Sequence, residues 1–317
     1  MIIDIVLLIV GFIVLIKGAD LFVDGASAIA DNFKVPKIFI GLTIVAFGTS
    51  APELAVSIKS IISNNHDIVL GNVIGSNIVN ILLIVGLSAL FKPLIVKNNT
   101  IKKELPILLL ISSLFVVLLS DRIFNGTANA FTRSDGIILV LFFLVFIYYL
   151  IEITVHRDKD LDSEVKSMSL LKAIIFTILG LGMIVFGSNY VVNSSSNLAE
   201  VLGVSKKMIA LTIIATGTSL PELVTSVTAT RKGECDLAIG NIVGSCIFNI
   251  GVVMALPVTI FGGINQINFN GIDLYIMLIS VLLLFMFAAN DKKISKKEGI
   301  MFLLFFVAYY SIVIINR

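Results

Sequence analysis

The chain has 317 residues, of which 57% are hydrophobic and only 14% are charged, and its mean hydropathy is +1.05. An average soluble domain carries about 25% charged residues, so this composition favours a lipid bilayer as the surrounding solvent. The formal net charge of +2 argues against nucleic acid as a partner. The two cysteines, Cys235 and Cys246, form neither a disulfide framework nor a CxxC pair.

A membrane-spanning helix needs about 20 mainly apolar residues. By this criterion the sequence predicts ten spans, and we expect an all-α integral membrane protein with a single membrane domain over residues 1–317. In chain order the predicted spans cover residues 3–29, 38–62, 68–95, 104–121, 134–154, 170–197, 207–230, 236–262, 272–290 and 297–315.

Basic residues are unevenly divided between the two sets of predicted loops. Seventeen of the 23 lysines and arginines lie in or beside the odd-numbered loops. Positive charge is retained in the cytoplasm, so we expect both termini outside the cell and the 154–169 loop in the cytoplasm. That loop is too short to hold a regulatory domain. The six basic residues on the other face are Lys59, Arg122, Arg133, Lys206, Lys207 and Arg317.

Two long segments of the sequence repeat each other at an offset of 169 residues. Ile38–Ile81 aligns without a gap with Lys207–Ile250, and 20 of the 44 positions are identical. Apolar segments share leucine and isoleucine by chance, but they do not share ungapped runs of Gly, Thr, Ser, Pro, Glu and Asn. The chain therefore contains an internal duplication.

The duplication predicts an inverted arrangement, because each copy holds five spans and an odd number forces the second copy to insert upside down. We expect a first repeat over residues 1–154, a cytoplasmic linker over 155–169 and a second repeat over 170–317. Repeats of this kind commonly place a substrate near the middle of the membrane, between matching polar or broken helices.

The first duplicated motif places a glutamate just after a proline, inside an apolar span. It covers Gly48–Glu53 in one copy and Gly217–Glu222 in the other. A lone carboxylate at this depth is costly, so it should face the bundle and have a partner or an ion. Each proline removes a backbone N–H and crowds the carbonyl four residues back, which predicts a kink. Irregular backbone at this depth is tolerated where it lines a cavity.

Hydroxyl groups share a helical face with each glutamate. Thr49 and Ser50 lie four and three residues before Glu53. Carboxylates, hydroxyls and freed carbonyls are hard oxygen ligands, and Ca²⁺ takes six to eight of these. No histidine or cysteine joins the motif, which argues against zinc or copper. In the second copy the same three positions hold Thr218, Ser219 and Glu222.

The second duplicated motif carries one serine and one asparagine four residues apart. It covers Gly71–Asn80, with Ser76 before Asn80, and its copy places Ser245 before Asn249. The neutral amides of Asn80 and Asn249 either bind an ion or join helices by hydrogen bonds, and the sequence leaves both possibilities open.

Four further polar residues have structural interpretations. Asn72 and Asn241 lie near helix starts and are expected to form interhelical hydrogen bonds. Asp20 and Asp24 lie on the polar part of the first span, where solvation or salt bridging is expected.

These motifs resemble the alpha-repeats of the calcium/cation antiporter superfamily, and the prokaryotic sodium/calcium exchanger branch is the most similar. The resemblance rests on two GTS-x-PE motifs, each followed by GN-x-x-GS-x-x-x-N, and covers nearly the whole chain. It implies a multi-pass cell-membrane antiporter that exchanges Na⁺ for Ca²⁺ by alternating access, electrogenically, with three Na⁺ per Ca²⁺. The implied partners are these ions and the lipid bilayer, with no cofactor and no obligate protein partner.

The resemblance also implies an ion cluster. Glu53 and Glu222 would be the central carboxylates reached by calcium or sodium, flanked by Asn80 and Asn249. Related exchangers, including potassium-dependent ones, often have aspartate at the position of Asn249, so potassium co-transport is not expected. The sodium ligands would be Ala46, Thr49, Ser50 and Ser76 on the first half, and Ala215, Thr218, Ser219 and Ser245 on the second.

The sequence leaves three alternatives open. A proton/calcium antiporter would protonate the two glutamates instead of binding sodium. A cation channel would use the same oxygen ligands without alternating access. An intramembrane hydrolase is disfavoured, and we expect no enzymatic activity, because the sequence has no HExxH motif, no GxSxG motif and no intramembrane aspartate pair. There is no GxxxxGK[ST] motif for ATP, so ion gradients would supply the energy.

Overall fold

The computed structural model describes residues 2–63, 65–124, 126, 128–155, 168–203, 215–264 and 271–316. Helices dominate both halves of this described chain. In the first half they are α1 Ile2–Phe33, α2 Lys37–Thr49, α3 Ala51–Ile62, α4 His66–Phe91, α5 Leu105–Leu118, α6 Asp121–Phe124 and α7 Arg133–Val155. In the second half they are α8 Leu170–Val201, α9 Ala215–Gly217, α10 Leu220–Lys232, α11 Cys235–Phe261, α12 Gly271–Asp291 and α13 Lys296–Asn316.

These helices confirm the predicted helical membrane protein. Within the described residues, six helices are long and apolar enough to cross a membrane, and the bent pair α2–α3 makes a seventh if it counts as one span. Each predicted span overlaps a described helix, but the count of ten stays a prediction. Residues 207–214 of the seventh span and 156–167 of the predicted linker lie outside the described chain.

The third span is shorter than predicted, and its end is not helical. We expected a helix to residue 95, but α4 ends at Phe91 and Lys92 is extended. Pro93 disfavours helical geometry at the residue before it. The next residues form strand β1, Leu94–Ile95, which pairs antiparallel with β2, Lys293–Ile294. This ribbon joins the two halves of the chain.

The helices α4 and α11 form the buried centre, and several outer helices expose apolar side chains. Most residues of α4 and α11 are buried, whereas Ile13 of α1, Leu141 of α7 and Leu304 of α13 are each more than half exposed. Large exposed apolar side chains on several helices are what a lipid environment requires.

The helices α1 and α8 run antiparallel with their backbones in contact. A Cβ built on Gly180 would lie 2.5 Å from the Phe22 backbone nitrogen and 2.7 Å from the Gly18 carbonyl oxygen. A Cβ on Gly187 would lie 2.8 Å from the Leu15 nitrogen. Small residues allow this close approach, which holds helices together where lipid removes the hydrophobic drive between them.

We expect Gly180→Ala to lower the thermal stability of the purified protein in detergent. The new methyl group would overlap backbone atoms of α1, and overpacking of this kind costs about 1–3 kcal/mol. Gly182→Ala is the matched control on the same helix, since no described heavy atom lies within 4 Å of a Cβ there. Size-exclusion chromatography after heating measures both variants, and equal midpoints would contradict the close contact between α1 and α8.

Candidate ion-binding site

Each motif glutamate follows a break in its helix. Ser50 and Ser219 adopt the same backbone conformation, with φ −86° and ψ 6°, and each stands immediately before a helix whose first turn contains the motif proline. The helices α2 and α3 meet at 46°. The predicted breaks are therefore confirmed, and the cause is the missing proline N–H. Glu53 and Glu222 lie in the first turns of α3 and α10, where the helix dipole favours a negative charge.

The two halves meet through reciprocal hydrogen bonds. The Ser50 hydroxyl donates to Glu222 Oε1 at 2.9 Å, and the Ser219 hydroxyl donates to Glu53 Oε1 at 3.5 Å. Both serines and both glutamates are buried. Each motif thus supplies a hydroxyl to the carboxylate of the other motif, and the two carboxylates share one site.

The remaining predicted hydroxyl ligands surround these carboxylates. Thr218 lies against the Glu53 carboxylate, and Thr49 and Ser245 lie against that of Glu222. The Thr49 hydroxyl also lies 3.1 Å from Asn241 Oδ1 and 3.4 Å from the Ala46 carbonyl oxygen. When the Thr49 proton is donated to either oxygen, the lone pairs of the hydroxyl remain available to a cation.

Among the described residues, seven of the 14 buried side-chain polar atoms without hydrogen bonds belong to the predicted ligands. A buried group left in this way costs about 1–3 kcal/mol, so such a concentration requires a physical explanation. Carboxylate, hydroxyl and amide oxygens are the donor types that Na⁺ and Ca²⁺ accept, so a transported cation would satisfy them. The oxygens with no hydrogen-bond partner among the described residues include Glu53 Oε2, Glu222 Oε2, Ser76 Oγ, Ser245 Oγ and Asn249 Oδ1.

Asn80 and Asn249 lie in matching π-helical segments that the sequence analysis did not predict. Val79–Val85 interrupts α4 and Asn249–Met254 interrupts α11. The segment with Asn249 packs on α3, which carries Glu53, and the segment with Asn80 packs on α10, which carries Glu222. Single π turns inside α-helices are frequent at functional sites, and each of these two packs the segment that carries the asparagine of one half against the helix that carries the glutamate of the other half.

The predicted interhelical role of Asn72 and Asn241 is confirmed. Asn72 Nδ2 donates to the Glu53 carbonyl at 3.0 Å and to Ser57 Oγ at 3.1 Å. Asn241 Nδ2 makes the corresponding bonds to the Glu222 carbonyl at 3.5 Å and to Ser226 Oγ at 2.9 Å. Both asparagines hold the backbone of the glutamate. Ser57 and Ser226 were not singled out from the sequence, although they are identical at the repeat offset.

The structure gives less support for the two predicted backbone ligands, the carbonyl oxygens of Ala46 and Ala215, than for the side-chain ligands. The Ala46 carbonyl accepts the Ser50 N–H at 3.0 Å, so its second lone pair is open to an ion when the Thr49 hydroxyl donates to Asn241 instead. Ala215 begins α9 four residues before Ser219. Within the described residues no group of three or more His, Cys, Asp or Glu side chains converges. Hydroxyl, amide and carbonyl oxygens would therefore complete the cation shell around the two glutamates.

Comparisons with known proteins agree with this arrangement. The putative antiporter CaxA of Alkalimonas amylolytica is 37% identical over 319 residues, which cover 98% of each chain. The sodium/calcium exchanger MaX1 of Methanosarcina acetivorans is 32% identical over 349 residues, which cover 97% of each chain.

Solved structures and a family match extend the likeness to the fold. The sodium-calcium exchanger NCX_Mj soaked with 10 mM Na⁺ and zero Ca²⁺ is similar with a TM-score of 0.84 and 31% identity over 98% of each chain. The family described as sodium/calcium exchanger protein matches residues 3–152 and 172–315. These matches cover nearly the whole chain, and the chain therefore belongs to the sodium/calcium exchanger protein family.

Proposed function

We propose that this protein is a secondary antiporter that exchanges Na⁺ for Ca²⁺ across the membrane. The observation that carries the proposal is the pair of buried glutamates, Glu53 and Glu222, each hydrogen-bonded by a serine of the other half. Membership of the exchanger family supports this proposal, as does the similarity to MaX1 and NCX_Mj, which are both named sodium/calcium exchangers.

The charge of the site suggests how exchange is enforced. Two carboxylates balance one Ca²⁺, whereas three Na⁺ leave a net charge of +1. A site without cations would hold two unpaired carboxylates in low dielectric, at about several kcal/mol each. The protein would therefore cross readily between its two end states with calcium or sodium bound, and poorly without either ion.

The proposed ligands divide between the two halves. Glu53 and Glu222 are shared by calcium and sodium, and Asn80 and Asn249 flank them. One sodium is held by Ala46, Thr49, Ser50 and Ser76, and another by Ala215, Thr218, Ser219 and Ser245. The twofold pattern of contacts around the glutamates supports this division.

Alternating access would be produced by the pair α1 and α8 sliding over the core helices. Their glycine-lined contact keeps the two helices together as a unit. Their antiparallel contact also supports the inverted relation of residues 1–154 and 170–317. We place the termini outside the cell and the 154–169 loop in the cytoplasm, on the charge distribution of the loops.

Glu53→Gln and Glu222→Gln should each abolish sodium-dependent calcium uptake into proteoliposomes while leaving folded protein. Glutamine keeps the size of the side chain but removes a charge that balances calcium. Glu104→Gln is the matched control, because Glu104 is also a buried carboxylate but is bonded to Tyr149 instead of the motif serines. The control should retain exchange. Near-normal calcium flux in either motif variant would show that the central site is wrongly assigned.

Transport should be electrogenic if three Na⁺ exchange for one Ca²⁺. In sodium-loaded vesicles with valinomycin, an inside-positive potassium diffusion potential should speed calcium uptake, because each cycle exports one net positive charge. One elementary charge moved through 100 mV is worth about 2.3 kcal/mol, or about a 50-fold shift in the equilibrium calcium ratio. A calcium ratio indifferent to the potential would reject three sodium ions while leaving the two-glutamate site intact.

An ion pair links the proposed moving helix to the core on one side only. Lys232 of α10 lies 2.7 Å from Asp24 and 3.4 Å from Asp20, both on α1, which confirms salt bridging for these aspartates. At the repeat offset the corresponding residues are the uncharged Ser63, Asn189 and Asn193. The pair therefore favours one of the two end states and must break if α1 slides over α10.

Lys232→Gln and Asp24→Asn should each shift the half-saturating calcium concentration in opposite directions on the two sides of the membrane. The shift should not exceed about fivefold, since an exposed pair is worth about 0–1 kcal/mol. The double variant should do no more than Lys232→Gln alone, because that substitution already removes the contacts of Lys232 with both Asp24 and Asp20. Additive shifts, measured with protein reconstituted in each orientation, would contradict this role.

A further inference from the structure

The amide of Asn249 presents two chemically opposite ends. Its oxygen can bind a cation, whereas its NH₂ group only donates hydrogen bonds and repels one. The residue therefore contributes to a cation site only if its oxygen faces that site. Which end does so depends on the group that holds the other end.

Asn77 of α4 holds the NH₂ end of Asn249. Asn249 Nδ2 donates to Asn77 Oδ1 at 3.1 Å. Asn77 Nδ2 in turn faces the Cys246 main-chain carbonyl oxygen at 3.4 Å and the Met277 sulfur at 3.8 Å. Both asparagines are at least 99% buried, so water does not compete for these groups.

The chemistry of these neighbours permits one orientation of the two amides. A main-chain carbonyl and a thioether sulfur accept hydrogen bonds and do not donate them, so they require the NH₂ end of Asn77. The Asn77 oxygen is then left facing Asn249, and an oxygen requires the NH₂ end of Asn249. The Asn249 oxygen is consequently turned away from Asn77, and it has no hydrogen-bond partner among the described residues.

The other half lacks this arrangement. At the repeat offset the position of Asn77 is taken by Cys246, which lies beside Asn80. A thiol is a weak hydrogen-bonding group, so it does not fix the Asn80 amide as Asn77 fixes that of Asn249. The orienting contact is thus specific to one side of the site.

We infer that Asn77 is a positioning residue that turns the Asn249 carbonyl oxygen toward the transported cation and so makes Asn249 an oxygen ligand of the central site. This inference rests on the proposed function, and it decides between the two roles that the sequence left open for Asn249. It assigns a role to Asn77, which does not itself contact the ion.

A double-variant comparison tests the inference, because an aspartate at 249 has two equivalent oxygens and needs no orientation. Calcium binding to the full chain in detergent is measured by isothermal titration calorimetry. Asn77→Ala should weaken calcium binding about three- to tenfold, the range of one hydrogen bond. The same substitution combined with Asn249→Asp should not weaken the affinity relative to Asn249→Asp alone, because an aspartate has no N–H for the Asn77 oxygen to accept. Combined with Asn80→Asp, the matched control, it should keep its full effect.

The possible outcomes distinguish an orienting role of Asn77 from a purely structural role, and they test the proposed function separately. Equal weakening by Asn77→Ala in all three backgrounds would show a purely structural role and overturn the inference, while calcium binding by the unsubstituted chain would leave the function standing. Absence of calcium binding by the unsubstituted chain would overturn both. If Asn77→Ala does not fold, Asn77→Cys places at this position the residue that the other half carries there. It should weaken calcium binding in the unsubstituted chain but not in combination with Asn249→Asp, and equal weakening in both backgrounds would reject the inference.

Discussion

Two carboxylates buried in one low-dielectric site are the constraint on which the rest of the structure depends. None of the described ion pairs involves Glu53 or Glu222, so the protein does not neutralise them with its own lysines or arginines. The protein stabilises their negative charge only in part, through two helix N-termini and the reciprocal serine hydrogen bonds. These contacts position the charges without cancelling them, and we therefore expect a mobile cation to neutralise the site.

The duplication makes this site symmetric in its core and asymmetric at its edges. Three features recur at the same offset: the serine–glutamate hydrogen bonds, the hydrogen bonds from asparagine to the glutamate carbonyls, and the π turns. The Asn77 contact and the Lys232 pair do not recur, since their counterparts are Cys246 and Ser63. In the alternating-access mechanism that we propose, a symmetric core would give two end states of similar energy. The unmatched contacts are where the two states can differ in ion affinity or population.

Much of the site could be predicted from the sequence because its causes are local or duplicated. A proline next to a glutamate in an apolar span predicts both the break and the buried charge, and the second copy excludes coincidence. The hydrogen bonds from Asn72 and Asn241 to the glutamate carbonyls could also be predicted, because both asparagines recur at the repeat offset. The end of α4 was missed even though Pro93 carried the signal, because apolar composition continues to Ile95 and was given more weight than the proline.

The features that escaped prediction depend on tertiary contacts. A π turn adds one residue to a helical turn without any fixed sequence pattern. The π-helical segment Val79–Val85 could therefore not be predicted from the sequence. Asn77 aligns with Cys246 in the other repeat. Because the comparison of the repeats singled out identical residues, it did not identify Asn77. Lys232 and Asp24 are 208 residues apart, and only the packing of α10 on α1 brings them together. The sequence therefore predicted which polar groups come together better than it predicted what orients them.

The most direct test of the account is calcium-45 uptake into proteoliposomes driven by one gradient at a time. An outward sodium gradient should drive concentrative calcium uptake. An outward proton gradient or an outward potassium gradient of the same size, without sodium, should not. Calcium accumulation driven by protons in the absence of sodium would contradict sodium coupling at Glu53 and Glu222 and would make the protein a proton/calcium antiporter.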